Sequence, residues 1–124
     1  MGIKNFEDLK GHTLVKIENK WNKMIFTLEN GERYMLYHEQ DCCESVYIED
    51  VIGDLDDLTG TPLLMAEEVS NFEEPEMGEK PESYTWTFYK LATIKGYVTI
   101  RWFGESNGYY SESVDFKKVG TSDK

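Results

Sequence analysis

The period-two alternation that opens the stretch from Tyr84 to Phe116 constrains the fold more than any other feature of this chain. Tyr84, Trp86 and Phe88 recur at every second position and Leu91 closes the run; Lys95-Gly96 then marks a turn, and Tyr97 to Phe103 reads as a second strand. Successive side chains of a strand point to opposite faces, so this spacing gathers the rings onto one side only if the backbone is extended. Asn107-Gly108 predicts another hairpin turn, because a type I′ turn needs positive φ at both central residues, and it leads into a third strand, Tyr109 to Phe116.

The N-terminal third carries the same signal. Thr13 to Glu18 and Lys23 to Leu28 alternate, Asn30-Gly31 predicts a two-residue hairpin, and Glu32 to Tyr37 supplies the return strand, making a meander. Pro62 to Phe72 reads as a strand that runs into the acidic, turn-forming loop Glu73 to Glu82, which contains Pro75, Gly78 and Pro81. One segment departs from this pattern. Ile48, Val51, Ile52, Leu55 and Leu58 fall on one helical stripe, Ser45 is an N-cap candidate, and Gly60 with Pro62 forms a stop signal. A helix over 45–58 is the expectation; the alternative is a short strand at Val46 to Ile48 followed by a shorter helix, since β-branched residues dominate the first turn. The expected fold is α+β, predominantly antiparallel β-sheet with one short helix, in a single domain spanning residues 1–124.

The formal net charge is -11, and it is concentrated. Between Glu39 and Glu82 stand fifteen carboxylates and one base, Lys80. Long nucleic acid is therefore excluded as a partner, because phosphate contacts require clustered Lys and Arg. No apolar run approaches the roughly 20 residues of a membrane span, and Met1 to Asn5 does not open a signal peptide. Phe6 stands where a myristoylation pattern needs Ser or Thr. The adjacent cysteines Cys42 and Cys43 lack the geometry for a relaxed mutual disulfide, which suits a reducing cytosol.

Motifs that carry chemistry are weak. Asp54 to Gly60 has acids at the wrong spacing for an EF-hand loop. His38, Asp41, Cys42 and Cys43 have no second cysteine pair for structural zinc, and a nucleophilic Cys42 would have only His38 as a local base. There is no phosphate loop, nucleophile elbow or zinc-protease motif, so neither a catalytic set, a metal nor a cofactor is expected. The remaining candidate is the aromatic hairpin, in which some rings must build the core while others are left for a ligand or a second copy of the chain.

Five segments carry a resemblance. They are Asp41-Cys42-Cys43-Glu44-Ser45-Val46-Tyr47-Ile48-Glu49-Asp50, Gly53-Asp54-Leu55-Asp56-Asp57-Leu58, Ala66-Glu67-Glu68, Thr85-Trp86-Thr87-Phe88-Tyr89-Lys90-Leu91-Ala92-Thr93 and Gly104-Glu105-Ser106-Asn107-Gly108-Tyr109-Tyr110-Ser111. Together they resemble small phage and prophage proteins of the Thoeris anti-defence sponge family. The resemblance implies a non-enzymatic protein in the cytoplasm of an infected bacterium. Such a protein sequesters a cyclic ADP-ribose signal made by TIR enzymes, in some members also cyclic oligonucleotides, in pockets between the subunits of a homodimer or larger homo-oligomer.

A ligand of that kind needs ring stacking, hydroxyl partners and cations for its pyrophosphate. Arg101 is the first choice for the pyrophosphate, with Lys90 and Lys95 behind it. Trp86, Phe88, Trp102 and Tyr109 are the stacking candidates, and Ser106 and Asn107 the polar ones. Two other functions compete with this one. An acidic inhibitor would cover a host defence protein by direct contact, and an enzyme would hydrolyse the signal with His38 and Asp41.

Overall fold

Extended chain dominates. The computed structural model describes residues 3–20, 22–39, 44–73, 83–106 and 112–121. The strands are β1 (Leu14–Lys20), β2 (Lys23–Leu28), β3 (Glu32–Tyr37), β4 (Ser45–Ile52), β5 (Met65–Glu73), β6 (Ser83–Thr93), β7 (Gly96–Ser106) and β8 (Asp115–Thr121). Two one-turn 3-10 helices, Phe6–Leu9 and Leu55–Leu58, complete the described elements. The strands form two four-stranded antiparallel sheets, with order β1-β2-β3-β8 in the first and β4-β7-β6-β5 in the second.

Alternation decides which side chains meet between the sheets. Met24, Phe26 and Leu28 of β2 and Tyr34 and Leu36 of β3 are buried, as are Tyr89 and Leu91 of β6 and Val98, Ile100 and Trp102 of β7; all belong to one core cluster. Phe6 closes that core from the first 3-10 helix, meeting Phe26, Tyr89 and Phe116 edge-on at centroid distances of 6.1, 4.7 and 6.0 Å. Glu7 beside it accepts the backbone N–H of Glu68 at 3.2 Å, which occupies one donor of strand β5.

Four local expectations are corrected. Ser45–Ile52 is a strand paired with β7, and only Leu55–Leu58 is helical. The physical cause is a β-bulge between Ile48 and Asp50: the ladder runs Ile48↔Trp102, then Asp50↔Arg101, then Val51↔Ile100. The extra residue Glu49 resets the alternation, so Ile48 and Val51 fall on the same side three positions apart and mimic helical spacing. The β2–β3 loop holds three residues rather than two. Gly31 (φ +94°) donates its N–H to the Leu28 carbonyl at 3.0 Å, and Asn30 Oδ1 accepts the N–H of Glu32 at 2.9 Å. Finally, β8 begins at Asp115 and pairs with β3 in the other sheet, not with β7; Asn107-Gly108 lies outside the described residues. The predicted loop from Glu73 also starts late, since Glu73 still pairs with Tyr84; residues 74–82 lie outside the described residues.

Candidate functional site

On the outer face of the second sheet the register lines up side chains in rows that cross all four strands. Tyr47, Phe103, Trp86 and Asn71 form one row; Asp50, Arg101, Phe88 and Val69 form the next; Ile52, Thr99, Lys90 and Glu67 form the third. Neighbouring rows are about 6.6 Å apart, two residues of strand rise. The rings pack on one another: Phe103 lies 4.6 Å from Trp86, 5.9 Å from Tyr84 and 6.0 Å from Tyr47. All of these rings are half-buried, and no described element packs over them. Ile52, Val69 and Tyr97 are exposed on the same face.

Arg101 stands at the border of the aromatic row. Its guanidinium lies 5.4 Å from the centre of the Trp86 ring, a cation–π distance. Nε donates to Glu49 Oε1 at 2.7 Å, Nη2 approaches the same oxygen at 2.5 Å, and Asp50 Oδ2 is 3.8 Å away. Bulging at Glu49 is what turns two successive carboxylates toward one arginine. Two negative charges therefore face one positive charge, which makes Arg101 a poorer pyrophosphate ligand than its residue type suggests. Lys90, in the third row, forms no ion pair among the described residues.

Of the nine candidate residues, Arg101, Trp86, Phe88 and Lys90 share this face. Trp102 does not: it is 1% exposed, lies in the core on the opposite side of β7 and stacks on nothing outside. Lys95 sits in the β6–β7 turn, six residues and about 20 Å of strand from Arg101. Its N–H donates to Thr93 Oγ1 at 3.1 Å, and the Thr93 hydroxyl in turn donates to the Asp57 carbonyl, so the turn is anchored to the second 3-10 helix. Ser106 is buried and donates to Glu112 Oε2 at 2.6 Å, away from the outer face. Asn107 and Tyr109 lie outside the described residues. Phe103, Tyr84, Tyr47 and Glu49 are the residues that strand-by-strand reading missed. Phe103 shares the parity of Arg101 and was within reach, whereas Tyr47 and Glu49 join the face only through the bulged pairing of β4.

A second polar group closes the core at the end of the strands nearest the ring row. His38 has both ring nitrogens engaged, Nδ1 at 2.7 Å from the Ser113 carbonyl and Nε2 at 2.7 Å from Glu44 Oε2, with side chains 5% and 0% exposed. Glu112 accepts hydroxyls from Ser106 and, at 2.7 Å, from Thr85. Gly104 provides the room, because a Cβ there would stand 2.9 Å from Glu112 Cβ. A histidine so enclosed has no ring nitrogen left for a substrate. It works as a tie between the ends of β3, β4 and β8. Asp41, Cys42 and Cys43 lie outside the described residues, and among the described residues no group of three His, Cys, Asp or Glu side chains is arranged for a metal. Nor is any described helix long and apolar enough to cross a membrane.

The fold class is thus an antiparallel two-sheet β-protein with an aromatic outer face. Within that class the chain belongs to the family described as a domain of unknown function, DUF7448, whose match covers residues 7–116. Neither curated proteins nor solved structures give a match to this chain.

Proposed function

We propose that this protein is a non-catalytic binding module that captures a nucleotide-class small molecule on the outer face of the second sheet. The observation that supports it is the half-exposed ring row Tyr47–Phe103–Trp86 with Lys90, a cation that has no ion pair among the described residues, two rows away on the same face. A base stacks on rings regardless of its hydrogen-bonding edge, and Lys90 offers a cation on the same face about 13 Å from the ring row. In this reading Lys90 takes the anionic end, and Arg101 is held as a ring-covering cation by Glu49.

The particular ligand follows the resemblance noted from the sequence. It is a cyclic ADP-ribose signal, sequestered uncleaved by a phage anti-defence protein in the infected cell, with a second copy of the chain covering the ligand. A sponge must hold its ligand at nanomolar strength, about -12 kcal/mol, while a ligand of roughly 35 heavy atoms at about -0.3 kcal/mol each supplies about -10. Enclosure by a second subunit supplies the remainder more readily than one open sheet face. The competing reading, direct inhibition of a host protein, draws on the acids Glu49, Asp50 and Glu67 and the exposed Ile52, Val69 and Tyr97 of the same face, a combination that also suits a basic protein surface.

Incubation with cyclic ADP-ribose isomers, removal of free ligand, heat denaturation and analysis of what is released separates these readings. Intact ligand freed by heat, lost in Trp86→Ala and Lys90→Ala, supports the binding module. Converted ligand overturns it in favour of an enzyme, and no retention leaves the protein inhibitor.

A further inference from the structure

The outer face of the first sheet is basic, although the chain carries a net charge of -11. Strands β1, β2, β3 and β8 all lie outside the acidic stretch Glu39 to Glu82, whereas β4 and β5, the two edges of the second sheet, lie within it. Separation along the chain thus becomes separation in space. Met24, Phe26, Tyr34 and Leu36 turn inward to the core, so the residues between them on β2 and β3 turn outward. Lys16 and Lys20 of β1, Lys23 of β2, Arg33 of β3 and Lys117 of β8 occupy that outward side, against the two acids Glu18 and Asp115. Glu18 is shared by Lys16 at 3.7 Å and Lys20 at 3.8 Å, while Lys23, Arg33 and Lys117 have no ion pair among the described residues.

The centre of this face is apolar. Ile25 is 7% exposed yet stands apart from the core cluster, with Met35 opposite it on β3. Lys117 Nζ lies 4.9 Å from the centre of the half-buried Tyr37 ring. The other side of the sandwich has the complementary sign: on the outer face of the second sheet Glu49, Asp50, Glu67 and Glu105 stand against Arg101 and Lys90, around the half-exposed ring row.

We propose that these two faces bind each other between copies of the chain, the basic face of one copy docking on the acidic, aromatic face of the next. Opposite charges meet at the periphery of such a contact, and the rings of Trp86 and Phe103 cover the apolar centre formed by Ile25 and Met35. A phosphate backbone would satisfy the cations but leave that centre uncovered, so a second copy fits the face better than a polyanion does. Repulsion between the remaining acids of two copies is screened beyond about 8 Å at physiological salt, whereas the docked side chains meet at contact distance. Because each copy carries both faces, on opposite sides of one sandwich, the contact is head-to-tail and extends into a stack instead of closing as a dimer. Four strands about 4.8 Å apart and about 20 Å long present roughly 400 Å² per face, so each contact buries about 800 Å² in total, the size of a weak, reversible interface. The copy that covers the ligand in the reading above then does so with this basic face, but docking itself needs no ligand and is tested without one.

The test is sedimentation of the full chain at 0.15 M salt over about 5 to 500 µM, the range that suits a contact of this size. The average mass of wild type should at least double across that range. Lys23→Glu with Lys117→Glu removes the basic face, and Glu67→Lys with Glu105→Lys removes the acidic one; all four residues are exposed, and circular dichroism checks that both variants keep the fold. Each variant alone should remain monomeric. Mixed in equal amounts they should form dimers and nothing larger, since each retains one working face. Wild type that stays monomeric, a variant that associates as wild type does, or a mixture that fails to pair would overturn the proposal. Monomeric wild type that binds a labelled single-stranded oligonucleotide, with binding lost in Lys23→Glu with Lys117→Glu, would overturn it too and assign the face to nucleic acid. Wild type that retains a nucleotide while monomeric would leave the binding module standing without this contact.

Discussion

The two faces of the β6–β7 ribbon carry similar residue types and have opposite fates. On the inner face Tyr89, Leu91, Val98, Ile100 and Trp102 are wholly buried against the first sheet. On the outer face Tyr47, Tyr84 and Trp86 pack around Phe103, and these rings, with Phe88, remain half in solvent. A ring alone does not say whether it stabilises or recognises; the layer packed over it does. Inner rings gain the full hydrophobic burial, whereas outer rings keep part of their surface available for a ligand or a second subunit.

The sharpest way to break this comparison is to remove one tryptophan from each face. Trp102→Ala should lower unfolding stability by about 3–5 kcal/mol, whereas Trp86→Ala should cost about 1 kcal/mol or less and abolish ligand retention, read by denaturant titration alongside the heat-release assay. Equal stability losses would show that the outer face is covered in the folded protein. Next comes Gly104→Ala. Its new Cβ would lie 2.9 Å from Glu112 Cβ and 3.0 Å from the Glu112 carbonyl oxygen, so the segment before β8 must move, at about 1–3 kcal/mol in the same titration.

A pH titration separates the buried phenols from the outer ones. Burial first, and the Glu32 carboxylate second, push Tyr34 up to about 12, and burial with the Glu68 carboxylate pushes Tyr89 further in the same direction. A phenol raised above its unfolded value of about 10 contributes stability that is complete below pH 10 and lost as pH climbs through 12. Absorbance of tyrosinate from these two should therefore appear together with loss of the fold, and Tyr34→Phe should unfold at higher pH than wild type. Tyrosinate from Tyr34 or Tyr89 in a still-folded protein would contradict their place in the core.

The smallest effect concerns Glu68. Burial against Tyr89 raises its carboxyl, opposed by the hydrogen bond it accepts from the Tyr89 hydroxyl at 3.0 Å and reinforced by nearby Glu7. The raised value means that Glu68 contributes most below the ordinary glutamate range, near 4.5, and progressively less as pH rises through its folded value. Glu68→Gln keeps an acceptor for Tyr89, so its melting temperature should gain on wild type from pH 4 to pH 7 by a few degrees at most, the side chain being partly in water. A gap that narrows over that range would reverse the sign of the shift.

Much of this was legible in the chain. Alternation placed six of the strands, β4 and β8 apart, and it set Trp86, Phe88 and Lys90 on one face with Thr87 and Tyr89 on the other, because strand parity is a local property. The helix expected over 45–58 failed at a single residue. Glu49 is an insertion relative to the β7 ladder, and neither it nor its neighbours signal a bulge until β7 is alongside. The third strand of the aromatic run failed for a similar reason: Phe116 alternates as well with β7 as with β3, and the choice of partner rests on contacts 80 residues distant in sequence.

The sequence by itself determined that the chain is β-rich and antiparallel, that its acids lie in the middle, and that its rings are concentrated in β6 and β7. Parity and turn chemistry act over a few residues, and a few residues suffice to read them. Only the tertiary structure decided which face of the ribbon is covered, that Trp102 is core and Trp86 surface, and that Arg101 is bound by Glu49 while Lys90 has no ion pair among the described residues. Those outcomes depend on which strands meet across the sandwich and on one bulge in a distant strand, and both are set by long-range packing.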